Sequence, residues 1–235
     1  MAEEIKNEAM DAKAAKKGKK KLPIILGVVA VVVVAAGAGF WVWHEQPSFC
    51  NAICHTPMDA YYETYAEGTQ DKWGNELDET QRESMLAYKH GSYPGDATVT
   101  CMECHVPTLS EQITEGIAWI SGGYEILGTN ALDQAVLPER ELADLVEARG
   151  IEEDAFCMTE ECHVGVTRET LVEKTADLSE THNPHMAQHG EYACSDCHKA
   201  HAQSVNKCTQ CHTEAPVPEG WLSAAEADVA ASNVA

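Results

Sequence analysis

The sequence predicts a mainly α-helical chain with much irregular loop, wrapped round bound prosthetic groups and preceded by one N-terminal transmembrane helix. Three observations lead there. All ten cysteines fall into five pairs, and the second cysteine of each pair is followed directly by His, in a chain of 235 residues with only 11 His. One run near the N-terminus, PIILGVVAVVVVAAGAGFWVW, carries no charge. The remainder is acidic and poor in large rings (6% aromatic over the whole chain), so side chains alone supply little core.

The cysteine pairs define the chemistry. Cys101-Met102-Glu103-Cys104-His105, Cys194-Ser195-Asp196-Cys197-His198 and Cys208-Thr209-Gln210-Cys211-His212 are Cys-x-x-Cys-His boxes. They are the signature of a haem held by two thioethers, with the His bound to iron on one face. The spacing lets two sulfurs reach the two vinyl groups on one porphyrin edge, and the next residue then turns its imidazole onto the metal. Cys50-Asn51-Ala52-Ile53-Cys54-His55 has three residues between the cysteines, and Cys157-Met158-Thr159-Glu160-Glu161-Cys162-His163 has four. Their longer loops can bulge away from the porphyrin edge. Structural zinc wants four N/S ligands, typically as two spaced pairs, which five Cys-Cys-His triplets fit poorly. A disulfide framework suits an exported chain but gives no reason for His after every pair. The reading is a multihaem cytochrome c with five haem c groups in a stack, and His55, His105, His163, His198 and His212 as the box ligands.

A low-spin haem needs a sixth ligand. Imidazole suits iron, so His90, His182, His185, His189 and His201 are candidates for the distal positions, with the thioether of Met58 as a sixth. Five positions can thus be filled, which favours electron transfer over catalysis, because a catalytic haem needs an open face. His44 reads as an interfacial residue at the membrane boundary. Met58 also reads as a packing methionine, and Tyr61, Tyr62 and Tyr65, at helical spacing, as packing residues.

Residues 1–22 form a basic segment with six of its seven lysines between Lys13 and Lys21. Residues 23–43 are the transmembrane anchor: at 1.5 Å rise they span roughly 30 Å, one hydrocarbon thickness. Trp41 and Trp43 sit at its far end, where amphipathic rings favour the interface, and the lysines place the N-terminus in the cytoplasm. Ala36-Gly37-Ala38 resembles a signal cleavage site, but the apolar run exceeds the usual length of a signal peptide's core. The expected location is the cell membrane, single-pass, with the haem domain extracytoplasmic. After Trp43 there are 9 Lys+Arg against 34 Asp+Glu, a net charge of −25. That excludes nucleic acid as a partner and allows a basic protein partner.

Residues 44–130 make a first, dihaem unit. The anchor with Lys19–Lys21, the stretch Cys50–Met58, the isolated His90 with its following turn, and Thr100–Pro107 together resemble the NapC/NirT family of membrane-anchored cytochromes, over roughly residues 20–130. The family takes electrons from quinol, menaquinol or ubiquinol, and passes them to reductases outside. The resemblance implies Met58 as a ligand of a membrane-proximal haem with quinol bound beside it. This chain departs in its three-residue first box, in Met58 standing three residues past His55 rather than two, in Glu103, and in a following helix without lysines. Glu111 and Glu115 are the nearby proton-acceptor candidates and otherwise solvated acids.

Residues 131–156 read as a linker helix opened by Pro138 and closed by Gly150. Residues 157–212 make a trihaem unit. Here Asn183, Pro184, His185, His189, Gly190, the Cys194 box and His201 resemble the tetrahaem domain of flavocytochrome c fumarate reductases, where non-box histidines are distal ligands. Residues 213–235, rich in Ala and Pro and without periodicity, read as a disordered tail. The expected function is a pentahaem cytochrome that oxidises membrane quinol (menaquinol) and relays electrons to an extracytoplasmic reductase, a flavoprotein among the candidates, in anaerobic respiration. The alternatives are a self-contained multihaem reductase of a small oxyanion, and a haem subunit of a larger complex without quinol oxidation.

Overall fold

The computed structural model describes residues 21–92, 99–160, 162–186, 189–190 and 192–234, except for the side chains of His55, Thr56 and Ala148. Most of the basic segment, residues 1–20, lies outside the described residues, as does Glu161 of the third box. The chain divides into two compact units, Met1–Gln46 and Pro47–Ala235.

In the first unit, α1 runs from Leu22 to His44 over 23 residues. Pro23 stands in its first turn, where a missing N–H leaves no bond unmade. None of its side chains is buried, its mean hydropathy is 2.6, and valines such as Val34 are 71% exposed. A helix apolar on every side needs an apolar surrounding, and this one fits a single-pass membrane anchor by length and composition.

The second unit is mainly helical, as expected, but its helices are short. They are α2 (Pro47–Ile53), α3 (His55–Ala66), α4 (Glu79–Arg82), α5 (Leu86–Gly91), α6 (Cys101–Cys104) and α7 (Leu109–Ser121). Then come α8 (Leu142–Val146), α9 (Glu153–Cys157), α10 (Arg168–Lys174), α11 (Cys194–Cys197) and α12 (Ala224–Ala231). Local sequence sets several ends. Asp78 caps α4, Thr108 and Glu111 form a reciprocal capping box at the start of α7, and Gly122 (φ 67°) ends it. Strand is confined to two ladders. Gly128–Thr129 (β1) pairs antiparallel with Ala135–Val136 (β2), and Val205–Asn206 (β3) pairs parallel with Leu222–Ser223 (β4).

The side-chain core is small. Among the described residues, the buried apolar side chains are Ala60, Met85, Val136, Val146, Ala202 and Ala215. Six residues, half of them alanine, are too little apolar surface for a unit of this size, so bound groups must supply much of the interior.

The segments 44–130 and 157–212, expected as successive haem units, meet within one compact unit. Backbone bonds run from Leu86 N to Lys199 O (2.9 Å), from Ala87 N to Ala200 O (3.0 Å) and from Lys72 N to His201 O (2.9 Å). The Ser204 hydroxyl donates to Ser84 O at 2.6 Å, and both serines are buried. The free N–H groups at the start of α5 donate to the Lys199 and Ala200 carbonyls, a contact that needs no hydrophobic periodicity, which is why the pattern did not announce it.

The region 131–156 is likewise more than a helix. Asn130 Oδ1 accepts from Leu132 N (2.9 Å) and Gln134 N (3.1 Å), shaping the β1–β2 turn, and Tyr61 Oη receives Leu137 N at 2.8 Å. Helix α8 and a 3-10 turn, Glu147–Arg149, follow, ended by Gly150 at φ 65°.

The segment 213–235, expected to be disordered, is ordered over its described residues. It lays β4 beside β3 and then forms α12, capped by Ser223 and Glu226. Its anchors are amides and hydroxyls. Gln203 Nε2 donates to Gly220 O (2.8 Å), Ala224 N to Thr209 Oγ1 (2.7 Å), and Asn75 Nδ2 to Ala230 O (3.3 Å). Composition hid this because backbone pairing, not apolar burial, holds the strap. Gly220 has φ 77°, and a Cβ there would collide with the Thr80 carbonyl. Gly220→Ala should therefore lower stability by roughly 1–3 kcal/mol. Chemical denaturation of the detergent-solubilised protein measures this as a reduced transition midpoint at unchanged haem content.

Candidate functional site

Each box sits at a short helix or turn. Cys50 lies in α2, with Cys54 just before α3, and α3 begins at His55 and carries Met58 one turn on. The other four boxes occupy α6, the end of α9 with the turn after it, α11, and the 3-10 turn Lys207–Gln210. All ten cysteines are free of disulfides. Among the described residues, no three His, Cys, Asp or Glu side chains gather as a bare metal ion requires.

The histidines do gather, in pairs. His105 and His201 have ring centres 6.1 Å apart, His90 and His163 6.2 Å, and His189 and His212 6.0 Å. Every pair joins one box histidine to one histidine from outside the boxes. Two imidazoles bound trans, each nitrogen about 2 Å from one metal and each ring centre roughly 1 Å further on, place their centres about 6 Å apart. Three pairs at one common separation thus match the span of an axially ligated iron, and the residues present fit haem. His198 is affected first by burial, which lowers its pKa, and then by His185 and His163. Its ring also meets Trp221 edge-on, with centres 5.0 Å apart. His182 Nδ1 contacts Ser179 Oγ at 2.8 Å.

Surrounding groups select the ligating nitrogen. His90 Nδ1 lies 2.8 Å from Leu86 O, a pure acceptor, so Nδ1 carries the proton and Nε2 keeps its lone pair. His201 Nδ1 lies 2.6 Å from Thr64 Oγ1, and His185 Nδ1 3.3 Å from Thr175 Oγ1. Outer partners of this kind orient metal-bound imidazoles. Burial lowers the pKa of His105, with Arg140 assisting, and of His185, with Arg168 assisting; it pushes His201 down to about 3. Such groups stay neutral at physiological pH, the form that binds metal.

Successive boxes adjoin in chain order. The thiols of Cys50 and Cys101 are hydrogen-bonding neighbours. Arg149, just before α9, donates to Val106 O (3.1 Å) and Pro107 O (3.0 Å) beside the second box. Asp154 on α9 receives the Cys194 N–H at 3.3 Å and its thiol at 3.2 Å, and pairs with Arg168. Asp196 of the fourth box pairs with Lys207 before the fifth. Sequence reading missed Thr64, Asp154 and Arg168, because nothing in their local pattern reports a partner far along the chain.

The ring planes differ between pairs: 85° for His90–His163, 35° for His105–His201 and 11° for His189–His212. Perpendicular imidazoles leave the two iron dπ orbitals nearly degenerate, whereas parallel ones split them. EPR of the oxidised protein should show a strongly anisotropic low-spin signal, lost in His90→Ala, beside a rhombic one lost in His189→Ala. Each variant should gain one high-spin centre.

Comparison with known proteins agrees with this chemistry. The family profile of cytochrome c3 matches residues 144–213, which hold the last three boxes. The chain is 55% identical over 213 residues to the cytochrome c-type protein Cgr1 of Eggerthella lenta, covering 89% of this chain and 90% of that one. No solved structure matches the chain. With that identity across nearly the whole of both chains, and a cytochrome c3-type multihaem domain at its C-terminal end, the chain belongs to the c-type cytochrome family that includes Cgr1.

Proposed function

We propose that this cytochrome oxidises a membrane quinol, menaquinol, and relays the electrons through five haem c groups to an extracytoplasmic reductase. The observation that carries the reading is the matching of box imidazoles with second imidazoles. At the three boxes that have them, paired imidazoles would hold a haem iron for electron transfer and leave no place for a substrate. Haem supplies one-electron redox chemistry when bound; the protein's part is to hold each group at a set orientation and exclude water from its ligands.

Other features support the reading. The apolar helix α1 gives access to lipid-soluble donors, and its flanking lysines orient the chain with the N-terminus in the cytoplasm. Boxes that adjoin in chain order suit a wire entered near the first and left near the last. The resemblances to NapC/NirT cytochromes and to the tetrahaem domain of flavocytochrome c fumarate reductases point the same way, a quinol-side half and a relay half. The acidic second unit suits a partner with a basic docking face, electrostatically steered. Met58, on α3, remains the candidate ligand for the first haem.

The test is stopped-flow reduction of the detergent-solubilised protein by a menaquinol analogue, with pyridine haemochrome on the same sample. The expected result is rapid reduction and about five haems per chain, one for each cysteine pair. Haems that stay oxidised with quinol yet fill quickly from a soluble donor would overturn the quinol step and leave α1 as a tether.

A further inference from the structure

His201 is half-buried against α3. Thr64, on α3, is fully buried (0% exposed), and its hydroxyl lies 2.6 Å from His201 Nδ1. The same hydroxyl donates to Tyr61 O at 2.6 Å, within α3. A hydroxyl has one proton. With that proton committed to Tyr61, Thr64 offers His201 only a lone pair, so Nδ1 must donate and Nε2 is left free to ligate. Tyr61 closes the site further, its ring meeting His201 edge-on at 5.2 Å and 87°. Lys72 N fixes the His201 carbonyl at 2.9 Å.

We propose that Thr64 is a positioning residue for the second haem: it fixes the tautomer and ring angle of His201 opposite His105, and so sets the ligand field and potential of the iron between them. This rests on the haem reading of the His105–His201 pair. An N–H that donates to an acceptor makes imidazole a more basic ligand, which favours ferric iron and lowers the potential. Valine has nearly the shape of threonine but no acceptor. The change leaves a buried N–H unmatched and removes the electronic push.

The experiment uses the full-length, haem-loaded chain in detergent, as parent, Thr64→Val and Thr64→Ser, under redox titration and EPR. Thr64→Val should move one centre alone upward, by roughly tenfold in its oxidation equilibrium (about 59 mV for a one-electron couple), and shift the g values of one low-spin signal. Thr64→Ser, which keeps the acceptor, should match the parent in both. Unchanged titrations in Thr64→Val would overturn the proposal. So would equal shifts in both variants, or a shift spread over all centres, since these report packing. His201→Ala provides the separate check: one new high-spin centre is expected. A protein that stays wholly low-spin would remove the His105–His201 pairing and this proposal with it, while the quinol relay would still stand or fall on its own kinetics.

Discussion

The structure turns on histidines lent across the chain. His201, beyond the fourth box, faces His105 of the second, and His90, before the second box, faces His163 of the third. Each of these ring pairs draws on two segments far apart in the chain. The backbone bonds from α5 to Lys199 and Ala200, and from Lys72 to His201, hold this segment where the His201 ring lies beside α3. Where apolar side chains are few, a metal with two fixed partners becomes a cross-link that can stand in for a core.

Polar groups do the aligning. Asp154 joins the third box to the fourth by accepting from Cys194 and Arg168 at once, and Asp196 joins the fourth to the fifth through Lys207. These carboxylates sit next to box cysteines and fix how neighbouring boxes pack. The large excess of acids elsewhere is surface; these few are structural because each is aimed at a particular donor. The C-terminal strap follows the same rule, held by Gln203, Thr209 and Asn75 rather than by large apolar side chains.

What the sequence made legible was whatever is encoded within a few residues. The boxes are such signals, because thioether chemistry demands its cysteines and histidine in a row. The apolar helix α1 is another, because an unbroken run without charge is visible in the sequence itself. Capping residues, such as Thr108 with Glu111, and Gly150, mark ends by local hydrogen bonding. The pairing of imidazoles was not legible: His90 and His201 look alike as isolated histidines, and only the path of the intervening chain decides which box each faces. Thr64 was hidden for the same reason, being an ordinary threonine within a helix turn. The strap at 213–234 was misjudged because sparse apolar residues usually mean disorder, whereas here a two-residue parallel ladder and three amide contacts suffice.

The distance along the chain between Thr64 and His201, 137 residues, also imposes a timetable. A ribosome adding about 5–20 residues per second delivers His201 roughly 7–27 s after Thr64. During that interval α3 and the second box exist without the imidazole meant to face His105. Until the last third of the polypeptide folds back, the position opposite His105 lacks the imidazole that the folded structure places there.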